Sequence, residues 1–167
     1  SSSAHTTPPT ASDAPLINLV SECITISAPS SIGDMIIGVN VLSTTSLIDV
    51  FFVIDGKVLT PKLNGAILQG ITRDSVIQLL KDKNIPCEVR DISIDEISQA
   101  YSEGKLEDAF GTGTAATIAH IASFGYKDKV IKLPEVQDRT ISNSLKDDLQ
   151  MIKNGKKEDN HNWVYNF

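Results

Sequence analysis

Two short stretches of this chain could do chemistry through their backbone: Gly70-Ile71-Thr72-Arg73 and, further along, Gly111-Thr112-Gly113-Thr114-Ala115-Ala116. A phosphate dianion needs several donors at once. It finds them where glycines let consecutive amides converge, or where a helix leaves its first amides unpaired. Two such loops in one small unit predict a phosphate cup. The plain alternative for Gly111 to Ala116 is a tight turn. The same string also fits the dinucleotide pattern GxGxxA, with Glu135 near the spacing of a ribose ligand, but that pattern should follow an apolar strand and open a helix. Here Leu106-Glu107-Asp108-Ala109-Phe110 is half acidic and the segment after the loop is β-branched, which argues against nicotinamide or flavin binding. No P-loop string of the GxxxxGK type occurs.

Other reactive side chains form no constellation. His5, His120 and His161 are isolated in sequence, and His120, the one near a glycine loop, reads as a hydrogen-bonded structural histidine. Asp95 and Glu96 are explained by helix capping, and Arg73 by structural pairing with a carboxylate. Cys23 and Cys87 form no CxxC pair, which points to free thiols in a reducing compartment and excludes a cysteine zinc site.

The elements that must hold the loops can be read from periodicity. Val50–Ile54, the turn pair Asp55-Gly56 and Lys57–Thr60 predict a hairpin. Thr72 reads as an N-cap with Asp74 in the first turn, and Val76, Ile77, Leu79 and Leu80 then mark a helix to about Lys83. Ile85, Cys87 and Val89 alternate with Glu88 and Arg90 as a strand does. Ser93-Ile94-Asp95-Glu96 is a capping box for a helix whose apolar face is Ile94, Ile97, Ala100 and Tyr101 and whose stop is Gly104. Leu106–Phe110 is then a short strand, and Thr117–Phe124 and Val130–Leu133 are strands joined by a turn at Lys127-Asp128. Ile141, Leu145, Leu149 and Ile152 predict a last helix closed by Gly155. The upstream third is harder to read. Ser1–Pro15 has the composition of a disordered leader, and Leu16–Phe52 that of short strands and turns. The mixture is an α+β unit.

Composition sets the outer bounds. A chain of 167 residues, 41% apolar and 22% charged, is long enough for one domain with a real core. A net charge of −6 and a pI near 5.0 oppose binding to nucleic-acid phosphates, and the short basic run Lys153–Lys157 is diluted at once by Glu158 and Asp159. No apolar run approaches the length of about 20 residues that spans a bilayer, and no basic residue precedes a hydrophobic run near the start. A cytoplasmic protein that binds neither nucleic acid nor membrane is expected.

Several segments, in order and at their spacing, resemble the C-terminal half of the branched-chain amino-acid aminotransferases, pyridoxal-phosphate enzymes of fold type IV. They are Val58-Leu59-Thr60-Pro61, Leu63-Asn64-Gly65-Ala66-Ile67-Leu68, Gly70-Ile71-Thr72-Arg73 and Phe110–Ala116. The resemblance runs over about residues 50–167, including the tail at Asn162-Trp163. It implies the C-terminal large domain of the D-amino-acid aminotransferase-like fold, truncated, preceded by a leader at 1–15 and a divergent segment at 16–49. It further implies transfer of an amino group between leucine, isoleucine or valine and 2-oxoglutarate. By this resemblance the cofactor, pyridoxal 5'-phosphate, is bound at Gly70, at the amides of Ile71 and Thr72 and at the hydroxyl of Thr114. Leu68 would pack near the cofactor ring, and the amides of Thr114 and Ala115 would take the substrate carboxylate.

The same resemblance marks what this chain does not match. The family's Glu-Val-Gly-Thr-Met-Asn stretch should immediately precede Val50, where this chain reads Thr44-Thr45-Ser46-Leu47-Ile48-Asp49, so the acid that partners the pyridine nitrogen is missing. Residues 1–43 contain no lysine or arginine, and the Schiff-base lysine therefore has no counterpart there. Lys57 and Lys62 match family positions that are not catalytic. The chain is accordingly expected to be inactive alone, with no catalytic residue or metal ligand assigned. Two alternatives stand beside this reading: a non-catalytic phosphate- or cofactor-binding module that docks on a full-length subunit or self-associates, and a fold type IV relative such as a D-amino-acid aminotransferase or aminodeoxychorismate lyase.

Overall fold

The structure, a computed structural model, describes residues 25–27, 49–63, 70–113, 117–126 and 129–164. The predicted leader, most of the Leu16–Phe52 stretch and the Lys127-Asp128 turn lie outside the described residues. The centre of the unit is a hairpin of β2 (Asp49–Ile54) and β3 (Lys57–Thr60). Its two-residue turn needs positive φ at both positions, which Asp55 at +51° and Gly56 at +71° supply. The hairpin sits in a five-stranded sheet of order β4-β3-β2-β5-β6, where β4 is Cys87–Val89, β5 is Leu106–Thr112 and β6 is Ala119–His120. β4 joins β3 in parallel, and the other pairs are antiparallel.

Both faces of this sheet are covered, and the alternation along β2 shows how. Val50 and Phe52 point to one side, into a cluster with Leu59, Ile97, Leu106, Phe124 and Ile131. Phe51 and Val53 point to the other, into a cluster with Val58, Val76, Leu80, Phe110 and Leu145. The first side is roofed by α2 (Ile94–Ser102) and by a three-stranded antiparallel sheet of order β1-β7-β8, made of Thr25–Ser27, Ser123–Tyr126 and Lys129–Lys132. The second side carries α1 (Ile71–Asp82) and α3 (Thr140–Lys153). Phe51 stacks on Phe110 with ring centroids 5.1 Å apart, tying β2 to β5 beneath those helices.

Three sequence expectations need correction. Thr117–Phe124 is not one strand: β6 and β7 belong to different sheets, and the chain crosses between layers at Ile121-Ala122. β-branched content reports extended backbone but not which sheet it joins. Tyr101 is exposed rather than part of the buried face of α2. The N-cap of α1 is Gly70, in extended conformation and without a side-chain cap, so Thr72 lies inside the first turn. Other expected signals act as read. The Ser93 hydroxyl accepts from Glu96 N at 3.1 Å, although the Glu96 carboxylate turns to Arg90 instead of completing the capping box. Gly104 and Gly155 take the positive φ that stops α2 and α3.

The α1/α3 layer is fastened by buried and half-buried charges. Lys83 at the end of α1 reaches Asp148 of α3 at 2.6 Å and the Ser144 hydroxyl at 2.8 Å. The Asp108 carboxylate of β5, 2% exposed, accepts from Arg139 Nη1 and from the Ser142 amide, each at 3.3 Å. A strand residue thus caps α3 from below, where the helix itself has no side-chain cap. Arg139 also donates to the carbonyls of Pro134 and Ala109, so its buried guanidinium is well supplied.

Candidate functional site

The first anion loop becomes a helix end. The Asp74 amide is bonded to the Gly70 carbonyl at 3.2 Å, so the amides of Ile71, Thr72 and Arg73 precede the helical ladder. These donors carry the positive end of the α1 dipole. Ile71 is 84% exposed, which leaves that end facing outward.

The second loop is delivered by β5. Gly111 and Thr112 are strand residues paired with Val50 and Asp49, so the chain leaves the sheet only at Gly113. This corrects the tight-turn alternative for Gly111 and Thr112. No helix follows in the described residues: the next element is the two-residue strand β6, and the dinucleotide pattern therefore lacks its helix. Leu68, Thr114 and Ala115, expected to touch cofactor or substrate, lie outside the described residues. Gly70, Ile71 and Thr72 lie within them, at the start of α1.

Asp49 brings the two loops to one end of the sheet. It is the first residue of β2 and the register partner of Thr112. A Cβ placed on Gly70 would meet Asp49 Oδ2 at 2.6 Å, closer than real side chains come, so only glycine lets the chain turn here against that carboxylate. Arg73, one turn into α1 and 4% exposed, places Nε 3.9 Å from Asp49 Oδ1 and donates from Nη2 to the Pro61 carbonyl at 2.9 Å. The same guanidinium lies 3.9 Å from the exposed Asp74. Arg73 is thus held by carboxylates, as its sequence reading anticipated. Burial pushes the Asp49 carboxyl above the usual carboxylate range; Arg73 pulls it back and Asp74 adds to the rise. Beside Asp49, the Thr112 hydroxyl is buried and has no hydrogen-bond partner among the described residues.

Sequence reasoning did not count Asp49, Thr112 or the Asp108–Arg139 pair among the site or core polar residues. One signal was present: Asp49, Phe51 and Val53 share the helix-covered face of β2, so an acid at its head must meet whatever covers that face. His120 was expected to be hydrogen-bonded, and the structure corrects this. Its ring is buried on β6, and neither ring nitrogen has a hydrogen-bond partner among the described residues. The nearby Asn143 gives its amide to the Val136 carbonyl and has only a minor effect on the ring. His161 is not isolated: it lies 2.7 Å from Asp82 and stacks on Trp163, pinning the tail to α1. Lys57 and Lys62 form surface ion pairs with Glu88 and Asp91. Cys87 is a free thiol whose pKa is raised, chiefly by burial.

An open cleft of about 390 Å³ lies elsewhere, between the hairpin turn and α2, lined by Ile54, Lys57, Leu59, Arg90 and Glu96 among others. None of its lining residues belongs to the anion loops. Most of its charges are paired, Lys57 with Glu88, Arg90 with Glu88 and Glu96, and Lys105 with Glu103. Among the described residues no group of acidic, histidine or cysteine side chains is arranged to hold a metal ion, and no helix is long and apolar enough to cross a membrane.

Residues 40–124 match the amino-transferase class IV family. The chain is 44% identical over 115 residues to a probable branched-chain-amino-acid aminotransferase of Staphylococcus epidermidis, covering 69% of this chain and 32% of that protein. It is 41% identical over 116 residues to branched-chain-amino-acid aminotransferase 2 of Bacillus subtilis, with 70% and 32% covered. The fold is similar to the branched-chain amino acid aminotransferase of Escherichia coli, with a TM-score of 0.56 and 27% identity over 70% of this chain and 35% of that one. The chain spans about a third of the length of the curated relatives it matches.

Proposed function

The chain belongs to the class IV aminotransferases, and from that premise we propose that it is the phosphate-cup portion of a branched-chain transaminase. The activity of the whole would move an amino group between leucine, isoleucine or valine and 2-oxoglutarate, with pyridoxal 5'-phosphate as cofactor. The observation that carries the reading is the meeting of the α1 end and β5 on either side of Asp49, within a sequence 44% identical to a relative bearing that name.

The residues present fit a phosphate. Amides ahead of the α1 ladder, a glycine cradle that a Cβ would fill and a buried Thr112 hydroxyl with no partner among the described residues form a donor-rich end of the sheet. Within this proposal, Gly70, Ile71, Thr72 and Thr114 hold the phosphate, Leu68 packs near the ring, and Thr114 and Ala115 receive the substrate carboxylate. When bound, the cofactor supplies the electron sink for transamination. The chain's own part is to bind and orient it, with Arg73 holding the first turn of α1 against Pro61 and Asp49. The division into a leader at 1–15, a divergent segment at 16–49 and a class IV domain at 50–167 belongs to the same proposal.

Residues 1–49 hold no lysine, so we read this 167-residue chain as binding cofactor without turning over substrate by itself. Titration with pyridoxal 5'-phosphate, followed by borohydride and intact-mass measurement, tests this. Saturable binding without a covalent adduct and without leucine-dependent turnover is the expected result. A stoichiometric adduct on a lysine, with conversion of leucine, would overturn the inactivity. Absence of any binding would overturn the cup.

A further inference from the structure

Asp49 is a buried carboxylate at the head of β2, and its surroundings give its charge a consequence. Its carboxylate lies against Gly70, the residue just ahead of the amides that precede the α1 ladder. It is 9% exposed, so water screens it poorly. Among the described residues, the charged groups acting on it are Arg73 and Asp74, both from α1; its register partner on β5 is the uncharged Thr112. One guanidinium thus faces two carboxylates, each 3.9 Å away. With all three ionised, this end of the helix carries a net charge of −1 before any ligand arrives.

We propose that Asp49 is a charge gate on the anion cup: its carboxylate neutralises Arg73 and opposes a dianion at the amides of Ile71 and Thr72, so the cup tightens on a phosphate-type dianion when Asp49 loses its charge. The gate rests on the cup reading given above and adds the residue that sets its affinity. Asparagine at this position would keep the shape without the charge. A unit charge and a dianion a few ångströms apart repel enough, even at the dielectric of water, to change an affinity by on the order of tenfold. Because burial raises the Asp49 pKa, the carboxyl begins to take up its proton at a higher pH than an exposed aspartate would. The cup therefore tightens as the pH falls.

Sulfate is a suitable probe, since it stays a dianion across the range in which carboxylates titrate. Sulfate binding to the full 167-residue chain would be measured by calorimetry at several pH values from neutral to mildly acid, for the natural chain, Asp49→Asn and Asp74→Asn. The natural chain is expected to tighten by on the order of tenfold towards acid pH. Asp49→Asn should bind tightly throughout, with a flat profile, whereas Asp74→Asn should retain the pH dependence because Asp49 remains. A contribution from His120 would persist in Asp49→Asn and so is separated. If Asp49→Asn binds sulfate like the natural chain at neutral pH, the gate is overturned while the cup stands. If no chain binds sulfate, both fall. Should Asp49→Asn fail to fold, the profiles of the other two chains decide: a flat natural profile, or one abolished in Asp74→Asn, overturns the role of Asp49.

Discussion

Replacing Gly70 by alanine isolates the contact that holds the two loops together. Gly70 has φ −74° and ψ 125°, a conformation alanine adopts freely, so backbone strain contributes nothing. The whole effect must come from the new Cβ, which would stand 2.6 Å from Asp49 Oδ2. Ordinary contact begins at 3.4 Å, so the two groups must part by 3.4 − 2.6 = 0.8 Å. Asp49 cannot simply swing away, because it is buried at the head of β2 and faces Arg73. Overpacking of this kind costs about 1–3 kcal/mol. The loss of an N-cap glycine, a position where alanine is poorly tolerated, acts in the same direction. Urea unfolding followed by circular dichroism should therefore show Gly70→Ala destabilised by about 2 kcal/mol with an unchanged m-value. The pair Asp49→Ala and Gly70→Ala completes the test, since removing the carboxylate makes room for the methyl. The double variant should be less destabilised than the sum of the singles. Additive losses, or a Gly70→Ala chain within about 0.5 kcal/mol of the natural one, would refute the claim that this glycine exists to admit Asp49.

Two further outcomes follow from the buried polar groups. Asp108→Ala leaves Arg139 buried without its carboxylate and the Ser142 amide uncapped, and should cost about 3–5 kcal/mol in urea unfolding; a loss below about 1 kcal/mol would show that the Pro134 and Ala109 carbonyls suffice for Arg139. His120 is held below the ordinary histidine range, first by burial and then by Lys146 and Arg139, with Asp108 opposing. The folded chain therefore binds this proton less readily than the unfolded one, so the stability tied to the neutral ring is present at higher pH and is lost as the pH falls below about 6.5. His120→Leu should flatten the pH dependence of the melting temperature over that window. An unchanged slope would place the acid sensitivity elsewhere.

Much of this fold was legible because its local signals agree with its tertiary packing. Asp55-Gly56 between two apolar runs marks a tight hairpin turn, and the Ser93 hydroxyl caps α2 through the Glu96 amide even though the Glu96 carboxylate turns to Arg90. The apolar spacing in α3 likewise marks the face that enters the core. Where reading failed, the deciding term was not local. Thr72 looks the better cap by residue type, yet α1 is capped at Gly70, a position where any side chain would collide with Asp49 from β2. Thr117–Phe124 looks like one strand, but two layers compete for it and the chain divides between them.

By itself, then, the sequence determined the class IV resemblance, the β2-β3 hairpin and helices α1, α2 and α3 in their order, and the presence of amide-rich glycine stretches, all of which are carried by neighbouring residues along the chain. The tertiary structure alone decided that Gly70 and Thr112 meet at the Asp49 carboxylate, that Asp108 caps a helix formed far downstream, and that the buried His120 ring has no hydrogen-bond partner among the described residues. Those facts depend on strand register and on which helix covers which face of the sheet. Hydrophobic periodicity records that a face is buried, but it carries no information about the partner that buries it.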